Sequence, residues 1–172
     1  MDSLVLDASA LVRAVVGGGD VEELLERLQG SEVHAPHLID AEYGQVLRRL
    51  ERSGALAAEL ATAAGQACAG LIDQRHAHVG PLADRAWQLR AFVSYYDALY
   101  VALAEALDAP LLTADGKLAA AHLPAHIRVL PTESFNLSWL KCLSAWLCPA
   151  SGCLGFVAGL GVSRVGRSGR CR

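Results

Sequence analysis

Short apolar runs and longer stretches of helical periodicity alternate along the first 132 residues of the chain. The apolar runs are four or five residues long, which is typical of strands buried inside a sheet. They lie at residues 3–7, 33–36, 110–114 and 127–130. Helical periodicity covers the stretches near 8–16, 20–28, 37–52, 55–73, 81–92, 94–107 and 116–122. Strands that alternate with helices predict an α/β fold with a mostly parallel central sheet and helices on both faces.

Several local features bear on where these helices begin and which face they bury. Ser9 is a candidate N-cap for the first helix and Asp20 for the second. The helix at 37–52 is expected to bury a face made of Leu38, Ala41, Val46 and Leu50. His76 and His78 could share one face of a strand and hold a metal, but no further His or Cys lies close by in the sequence. We therefore favour a solvated turn there.

Four acidic residues stand where the predicted elements begin or end. Asp7 closes the first strand, and Asp115 follows the strand at 110–114. Asp97 lies in the first turn of its helix, and Glu42 lies in the first half of the 37–52 helix. In an open parallel sheet, ligands bind in the crevice outside the carboxyl ends of the strands. We therefore expect these four carboxylates to face one crevice.

Four carboxylates in one crevice would repel each other strongly unless a cation neutralised them. Oxygen-only ligation favours Mg²⁺, with Mn²⁺ as a possible substitute, over zinc. Such an ion activates water for attack on a phosphodiester and stabilises the charge on the phosphate oxygens. A covalent nucleophile is not evident, because Cys68 lies in an Ala-rich helix without a paired histidine. We expect Cys68 to be a packed core thiol.

Each acid also has a structural explanation. Asp97 follows Ser94 by three residues, which fits a capping box. Asp115 could cap the next helix, Asp7 could close a turn, and Glu42 could be solvated. Asp7 is the hardest to explain in this way, because an aspartate that ends a buried strand is costly without a partner. Spacing alone leaves the metal site and these structural roles both open.

Four ordered segments resemble a known family of proteins. They are LVLDASALV at 4–12, HLIDAEYGQVLRRL at 37–50, YYDALYVALAEALDAPLLTAD at 95–115 and the closing IRVL. The resemblance is to the PIN-domain ribonuclease toxins of the VapC type, and it covers residues 1–132. It implies a PIN-like three-layer fold. The chain departs from the pattern at Ala91–Phe92–Val93, where many relatives carry an Asn, whereas Arg90 fits.

The resemblance implies specific roles for individual residues. The metal-binding catalytic quartet would be Asp7, Glu42, Asp97 and Asp115. Ser9 and Thr113 would orient the metal ligands without binding the metal themselves, and Asp40 is a weaker candidate for the same role. The family is also expected to cleave RNA endonucleolytically with Mg²⁺, to be inhibited by a VapB-type antitoxin and to form homodimers.

Charge divides the chain into a body and a tail. The first 136 residues contain 18 acidic and 10 basic residues and carry a formal charge of −8, whereas the remaining residues carry +5. Residues 1–136 are therefore expected to form the nuclease domain. Residues 137–172 are rich in Cys and Gly, end in four arginines and are expected to form a poorly ordered extension. A membrane span is disfavoured by Pro149 and four glycines, and a cytoplasmic location is expected because the N-terminus lacks a signal-peptide pattern.

Three functions remain open at this stage. The favoured hypothesis is a Mg²⁺-dependent endoribonuclease, the toxin of a VapBC-like pair. An aspartyl-phosphate phosphatase could also use a first-strand aspartate, but it would usually need a second Asp where this chain has Ser9. The non-enzymatic alternative is a catalytically weak PIN-like binding module that acts through protein or membrane contacts.

Overall fold

The computed structural model describes residues 2–17, 21–124 and 126–132. The strands are β1 (Asp2–Leu6), β2 (Ser31–Pro36), β3 (Gln74–His76), β4 (Leu111–Thr113) and β5 (Val129–Pro131). The helices are α1 (Ala8–Val16), α2 (Glu22–Gly30), α3 (Leu38–Arg52), α4 (Ala58–Gly70), α5 (Pro81–Leu89), α6 (Tyr95–Ala106) and α7 (Gly116–Ala119). The predictions made for Asp20 and for residues 137–172 lie outside the described residues.

The five described strands form one parallel sheet in the order β3-β2-β1-β4-β5. The chain moves from β1 outward to β3, returns to β4 beside β1, and continues to β5. Because crossovers between parallel strands are right-handed, the two directions of travel place α1–α4 on one face and α5–α7 on the other. This architecture confirms the predicted three-layer α/β fold. It also creates a point between β1 and β4 where the strand order reverses.

Helix α6 is the centre of the second helical layer and packs over β1, β2 and β4. All seven residues from Ala98 to Ala104 are buried, as expected for a helix that is apolar all round. This packing holds the first turn of α6, and therefore Asp97, at a defined place. None of the described helices is long and apolar enough to cross a membrane.

The buried face of helix α3 agrees with the predicted one at Leu50, which is buried, and at Leu38, which packs against the core, but the prediction was wrong for Ala41. Its buried residues are Ile39, Leu47 and Leu50, whereas Ala41 is exposed to solvent. The larger Ile39 and Leu47 side chains gain more from burial than Ala41 does, so the helix is rotated toward them. Glu42, which lies three residues after Ile39, is half-buried as a result.

Strand β3 was not predicted, because Gln74–Arg75–His76 is polar and lies at the edge of the sheet. His76 does not pair with His78, which is exposed. Its Nε2 instead lies 3.1 Å from Nδ1 of His34 on the neighbouring strand β2. The favoured prediction of a solvated turn was therefore wrong for His76, which lies half-buried in β3, because adjacent strands bring His34 and His76 together.

Candidate metal centre

Asp7 lies at the point where the strand order of the sheet reverses. Val5 and Leu6 of β1 pair with Leu111 and Leu112 of β4, so Asp7 is level with Thr113 at the carboxyl ends of both strands. The Asp7 amide donates to the Leu112 carbonyl at 3.0 Å, which fixes the backbone there. Ligands of open α/β sheets bind at such a reversal. Asp7 is therefore a candidate ligand-binding residue.

Hydroxyl groups hold the Asp7 carboxylate in place. Its Oδ2 accepts hydrogen bonds from Ser9 Oγ and, at 2.7 Å, from Thr113 Oγ1. Ser9 Oγ also accepts from the Ala114 amide at 2.9 Å, and Thr113 Oγ1 accepts from the Asp115 amide at 3.0 Å. Ser9 and Thr113 thus join α1, β4 and the segment after β4 around one buried carboxylate.

The prediction of Ser9 as the N-cap of α1 was wrong. Asp7 occupies the N-cap position and its carboxylate makes no capping hydrogen bond. Ser9 lies within the first turn and turns its hydroxyl toward Asp7 and Ala114. A side chain that would otherwise cap a helix is used to position the carboxylate.

Glu42 meets Tyr100, a residue that sequence analysis missed. The Tyr100 hydroxyl donates to Glu42 Oε2 and so links α3 in one helical layer to α6 in the other. Two signals could have indicated Tyr100. It lies three residues after Asp97 and therefore on the same side of α6, and a tyrosine buried in an apolar helix needs a partner for its hydroxyl.

Asp97 lies in the first turn of α6 beside the N-cap residue Ser94. The Asp97 amide donates to Ser94 Oγ at 3.2 Å, and Ser94 Oγ donates to Asp97 Oδ2 at 2.7 Å. The cap is therefore present, but the Asp97 carboxylate accepts from the serine hydroxyl and not from the Ser94 amide of a complete capping box. One oxygen of the Asp97 carboxylate, Oδ1, takes no part in this contact.

Asp115 occupies the N-cap position of α7. Its Oδ1 accepts from the Lys117 amide at 2.7 Å, which is the capping role that the sequence left open. Its backbone is tied to the centre through Thr113, whereas its carboxylate points to the helix end. Asp115 is therefore connected to the Asp7 network by its amide and not by its carboxylate.

The carboxylates of Asp7, Glu42 and Asp97 are close enough to influence each other. Burial raises the pKa of Asp7, the Ser9 and Thr113 hydroxyls oppose the increase, and the Asp97 charge adds to it. Burial likewise raises the pKa of Glu42, and the charges of Asp7 and Asp97 contribute to the increase. Burial and the neighbouring Glu42 raise the pKa of the Tyr100 hydroxyl, which therefore stays a donor. We refer to Asp7, Glu42 and Asp97 as the acid centre.

The Asp40 carboxylate is paired with an arginine and not with the residues of the acid centre. Arg75 donates to both carboxylate oxygens of Asp40, with distances of 2.8 Å from Nε and 3.0 Å from Nη2. This pairing lowers the pKa of Asp40. Arg75 also donates to the carbonyls of Ile72 and Ala69, so the pair joins α3 to the end of α4 and to β3.

The donor set of the acid centre suits a hard divalent cation. All candidate ligand atoms are oxygens, and the like charges are partly buried with hydroxyl donors as their partners. Within residues 2–17, 21–124 and 126–132, no three His, Cys, Asp or Glu side chains converge closely enough to enclose a metal ion. Mg²⁺ does not need such a cage, because it usually binds one or two carboxylates and keeps several waters. The residues present therefore fit Mg²⁺ or Mn²⁺.

Comparison with known proteins agrees with this geometry. The model of the PIN-domain family matches residues 4–122, which include Asp7, Glu42, Asp97 and Asp115. The chain belongs to the PIN-domain family. Ribonuclease VapC1 of Mycobacterium tuberculosis is 48% identical over 132 residues, which are 76% of this chain and 99% of that protein. VapC ribonuclease Mb0985 of Mycobacterium bovis is 42% identical over 115 residues, 67% of this chain and 87% of that protein. Within the PIN domains, the chain is of the VapC ribonuclease type.

Solved PIN-like structures share the fold. PAE2754 from Pyrobaculum aerophilum has a TM-score of 0.59 at 21% identity and covers 84% of this chain and 96% of its own. M. tuberculosis VapC20, described as a Sarcin-Ricin loop cleaving toxin, has a TM-score of 0.51 at 18% identity. The match covers 69% of this chain and 94% of the VapC20 chain. At these identities the likeness concerns the fold alone, and it supports the PIN-like architecture.

Proposed function

We propose that this VapC-type PIN domain is an endoribonuclease that depends on Mg²⁺, or on Mn²⁺ in its place. Asp7, Glu42 and Asp97 are the candidate oxygen ligands, one or two of them directly and the rest through metal-bound water. Asp115, whose carboxylate caps α7, would act at the edge of the site through water. Ser9 and Thr113 orient Asp7, and Tyr100 orients Glu42. Asp40 has a structural role, because Arg75 occupies its carboxylate.

The partners of the acidic side chains carry this proposal. In the described part of the chain, arginines form ion pairs with acids that include Glu23, Asp40 and Glu105. The acid centre instead receives hydrogen bonds from the hydroxyls of Ser9, Thr113, Tyr100 and Ser94. Hydroxyls orient a carboxylate without neutralising it, so its negative charge stays available for a cation.

When bound, a divalent ion makes water a better nucleophile near neutral pH and offsets negative charge that builds up on the phosphate oxygens. The protein positions and orients the carboxylates that would bind this ion. Thr113 and Ser9 fix Asp7 at the strand ends, and the first turn of α6 presents Asp97 beside it. Because the Asp7 carboxylate is already held by hydrogen bonds, little reorganisation is needed when the ion and the phosphate arrive.

The relatives' names suggest the biological setting. Relatives of this chain are named VapC ribonucleases, and VapC20 is described as a Sarcin-Ricin loop cleaving toxin. We infer that this chain is likewise the toxin of a VapBC-like pair, with RNA as its substrate and a VapB-type antitoxin as its inhibitor. We also infer that it assembles as a homodimer.

Calorimetric titration of the full chain with Mn²⁺ tests the proposal directly. We expect saturable binding, which Asp7→Asn abolishes or weakens at least about tenfold. Asp40→Asn is the matched control, because it removes one carboxylate charge outside the acid centre and should leave Mn²⁺ affinity unchanged. Cleavage of RNA should require added Mg²⁺ or Mn²⁺ and should stop with chelator.

Two results would contradict the proposal. RNA cleavage that persists in chelator would exclude a metal-dependent mechanism. A chain that binds no Mn²⁺ and cuts no RNA would favour the PIN-like binding module, in which the acids have only structural roles.

A further inference from the structure

A cluster of aromatic side chains is exposed where α5 is followed by α6. Trp87 is 59% exposed, Phe92 53%, Tyr95 39% and Tyr96 61%. Large aromatic side chains are usually buried, so four exposed ones within residues 87–96 of a chain that is only 6% aromatic call for a partner. Trp87 contacts Tyr95 edge-on with 6.3 Å between ring centroids. The Arg90 guanidinium lies 4.6 Å from the centroid of the Trp87 ring. We call Trp87, Arg90, Phe92 and Tyr96 the aromatic surface.

Phe92 of this surface also lines a groove that contains Asp97 of the acid centre. The groove has a volume of about 460 Å³, within the range of ligand-binding pockets. Phe92, Ser94 and Asp97 line one side, and Lys117, Leu118 and His122 are among the residues on the other. Phe92 and Asp97 thus border the same space. A molecule whose backbone passes Asp97 would bring its neighbouring groups to Phe92.

The charges around the groove complement a polyanion. Lys117 lines the groove and Arg90 lies on the aromatic surface, so two basic side chains stand near Asp97, and the neutral His122 imidazole adds a hydrogen-bonding group to the lining. These residues stand out in a body with a formal charge of −8. Lys and Arg bind phosphates, while aromatic rings and arginine planes stack on unpaired bases. The combination of both groups along one groove matches single-stranded nucleic acid better than it matches an apolar protein surface.

We propose that the aromatic surface stacks unpaired bases of the RNA strand whose backbone lies in the groove beside Asp97. This inference rests on the proposed ribonuclease function and adds a base-binding subsite to it. Exposed base faces exist in loops and single strands but not within a duplex, so the subsite selects unpaired RNA. A second copy of the chain is the competing occupant. It would cover the groove through which the substrate reaches the acid centre, and we therefore favour RNA.

The experiment measures the affinity of the full chain for a fluorescently labelled unpaired RNA oligonucleotide in chelator, where no cleavage occurs. Phe92→Ala and Tyr96→Ala should each weaken binding roughly 5- to 150-fold, which corresponds to about 1–3 kcal/mol per stacked base. Phe92→Tyr and Tyr96→Phe keep a ring and should retain most of the affinity. Leu60→Ala removes an exposed apolar side chain from α4 and is the matched control, with no expected effect.

An RNA that lacks one base tests whether stacking is the cause. If Phe92 stacks on that base, the abasic RNA should bind the unaltered chain as weakly as the intact RNA binds the Phe92→Ala variant. Combining the two changes should then weaken binding no further. Sedimentation measurements on each variant report its oligomeric state.

The outcomes separate this inference from the proposed function. RNA that is bound as expected but never cut would contradict the ribonuclease proposal and leave the stacking subsite in place. RNA that is cut, with an affinity that Phe92→Ala and Tyr96→Ala do not change, would overturn the subsite. Loss of a dimer in these variants would also overturn it, and would assign the aromatic surface to contact between copies.

Discussion

Two groups of acidic side chains in the described part of the chain have opposite kinds of partner. Asp40 and Glu105 each receive two hydrogen bonds from an arginine, Arg75 or Arg85, and these contacts lower the pKa of both carboxyls. Asp7 and Glu42 receive hydrogen bonds from hydroxyl groups, and burial raises their pKa. The first group joins structural elements, whereas the second keeps its charge unneutralised.

The difference lies in what each partner supplies. An arginine both orients a carboxylate and neutralises it, which makes a complete structural unit. A hydroxyl orients the carboxylate and leaves its charge for a further partner. The arginine-paired acids of the described part lie outside the acid centre, where their loss should affect stability more than chemistry. This contrast distinguishes candidate ligands from structural acids more clearly than either burial or sequence position does.

The largest effect is expected when charge is removed from the acid centre. Asp7→Asn and Asp97→Asn should each lower the rate of RNA cleavage at least about 100-fold, because they remove an oxygen ligand and its charge. Asp40→Asn, which deletes an arginine-paired carboxylate, should change the rate less than about threefold. Cleavage rates of a labelled RNA under excess Mg²⁺ measure all three. Equal losses in Asp40→Asn and Asp7→Asn would remove the distinction between the groups.

A smaller loss of activity is expected when the hydroxyls that orient Asp7 are removed. Ser9→Ala and Thr113→Val should each lower Mn²⁺ affinity and cleavage about 10- to 100-fold, as typical for residues that position a metal ligand. Thr62→Val is the matched control, because the Thr62 hydroxyl donates to the Ala58 carbonyl within α4. Mn²⁺ titration and RNA cleavage are measured on the same preparations. Unchanged Mn²⁺ affinity in Thr113→Val would show that Thr113 does not position a ligand.

The smallest expected effect is on the free energy of unfolding. Replacing an acid by Asn should change it in opposite directions in the two groups. Because the pKa of Asp40 is lowered by folding, its charged form stabilises the fold above its ordinary pKa near 3.8, and this contribution is lost as the pH falls through the folded value. Because the pKa of Asp7 is raised, its charged form costs stability as the pH rises above 3.8. At pH 7 in chelator, Asp40→Asn should therefore destabilise the fold by under about 1 kcal/mol, since the pair is partly exposed. Asp7→Asn should stabilise it by about 1 kcal/mol.

Urea unfolding at pH 7 and in the acidic range measures these differences. Both should shrink in acid, where the carboxyls are protonated. A destabilised Asp7→Asn at pH 7 would show that the Asp7 carboxylate is compensated in a way that its hydroxyl partners do not explain.

Local features of the sequence were sufficient to predict those elements whose structure is determined by residues nearby in the chain. Ser94 caps α6, Pro81 begins α5, and the apolar runs at 3–7 and 33–36 form neighbouring strands. These elements follow from spacing and backbone preference, which act over a few residues. Cys68 is fully buried, and burial raises the pKa of its thiol to about 12, as expected for a core cysteine.

Contacts between segments that are distant in the sequence could not be predicted from local sequence features. Tyr100 binds Glu42 across 58 residues, Arg75 binds Asp40 across 35, and His76 meets His34 across 42. Nothing within a few residues of Glu42 or Asp40 indicates which of the two acids receives an arginine. The rotation of α3 that leaves Ala41 exposed likewise depends on how the neighbouring helices and strands pack against Ile39 and Leu47.

By itself the sequence determined the α/β class, the order of the elements other than the polar edge strand β3, and the acids that stand at their ends, because periodicity and capping act locally. Its motifs also indicated the PIN-domain family. Only the tertiary structure decided which distant side chains pair with Asp7, Glu42 and Asp40. Packing of the sheet and helices brings distant donors together, and it gives Asp7 the hydroxyls of Ser9 and Thr113 while Asp40 receives the Arg75 guanidinium. The division into ligand-like and structural acids follows from that packing, because hydroxyls leave a charge in place and a guanidinium neutralises it.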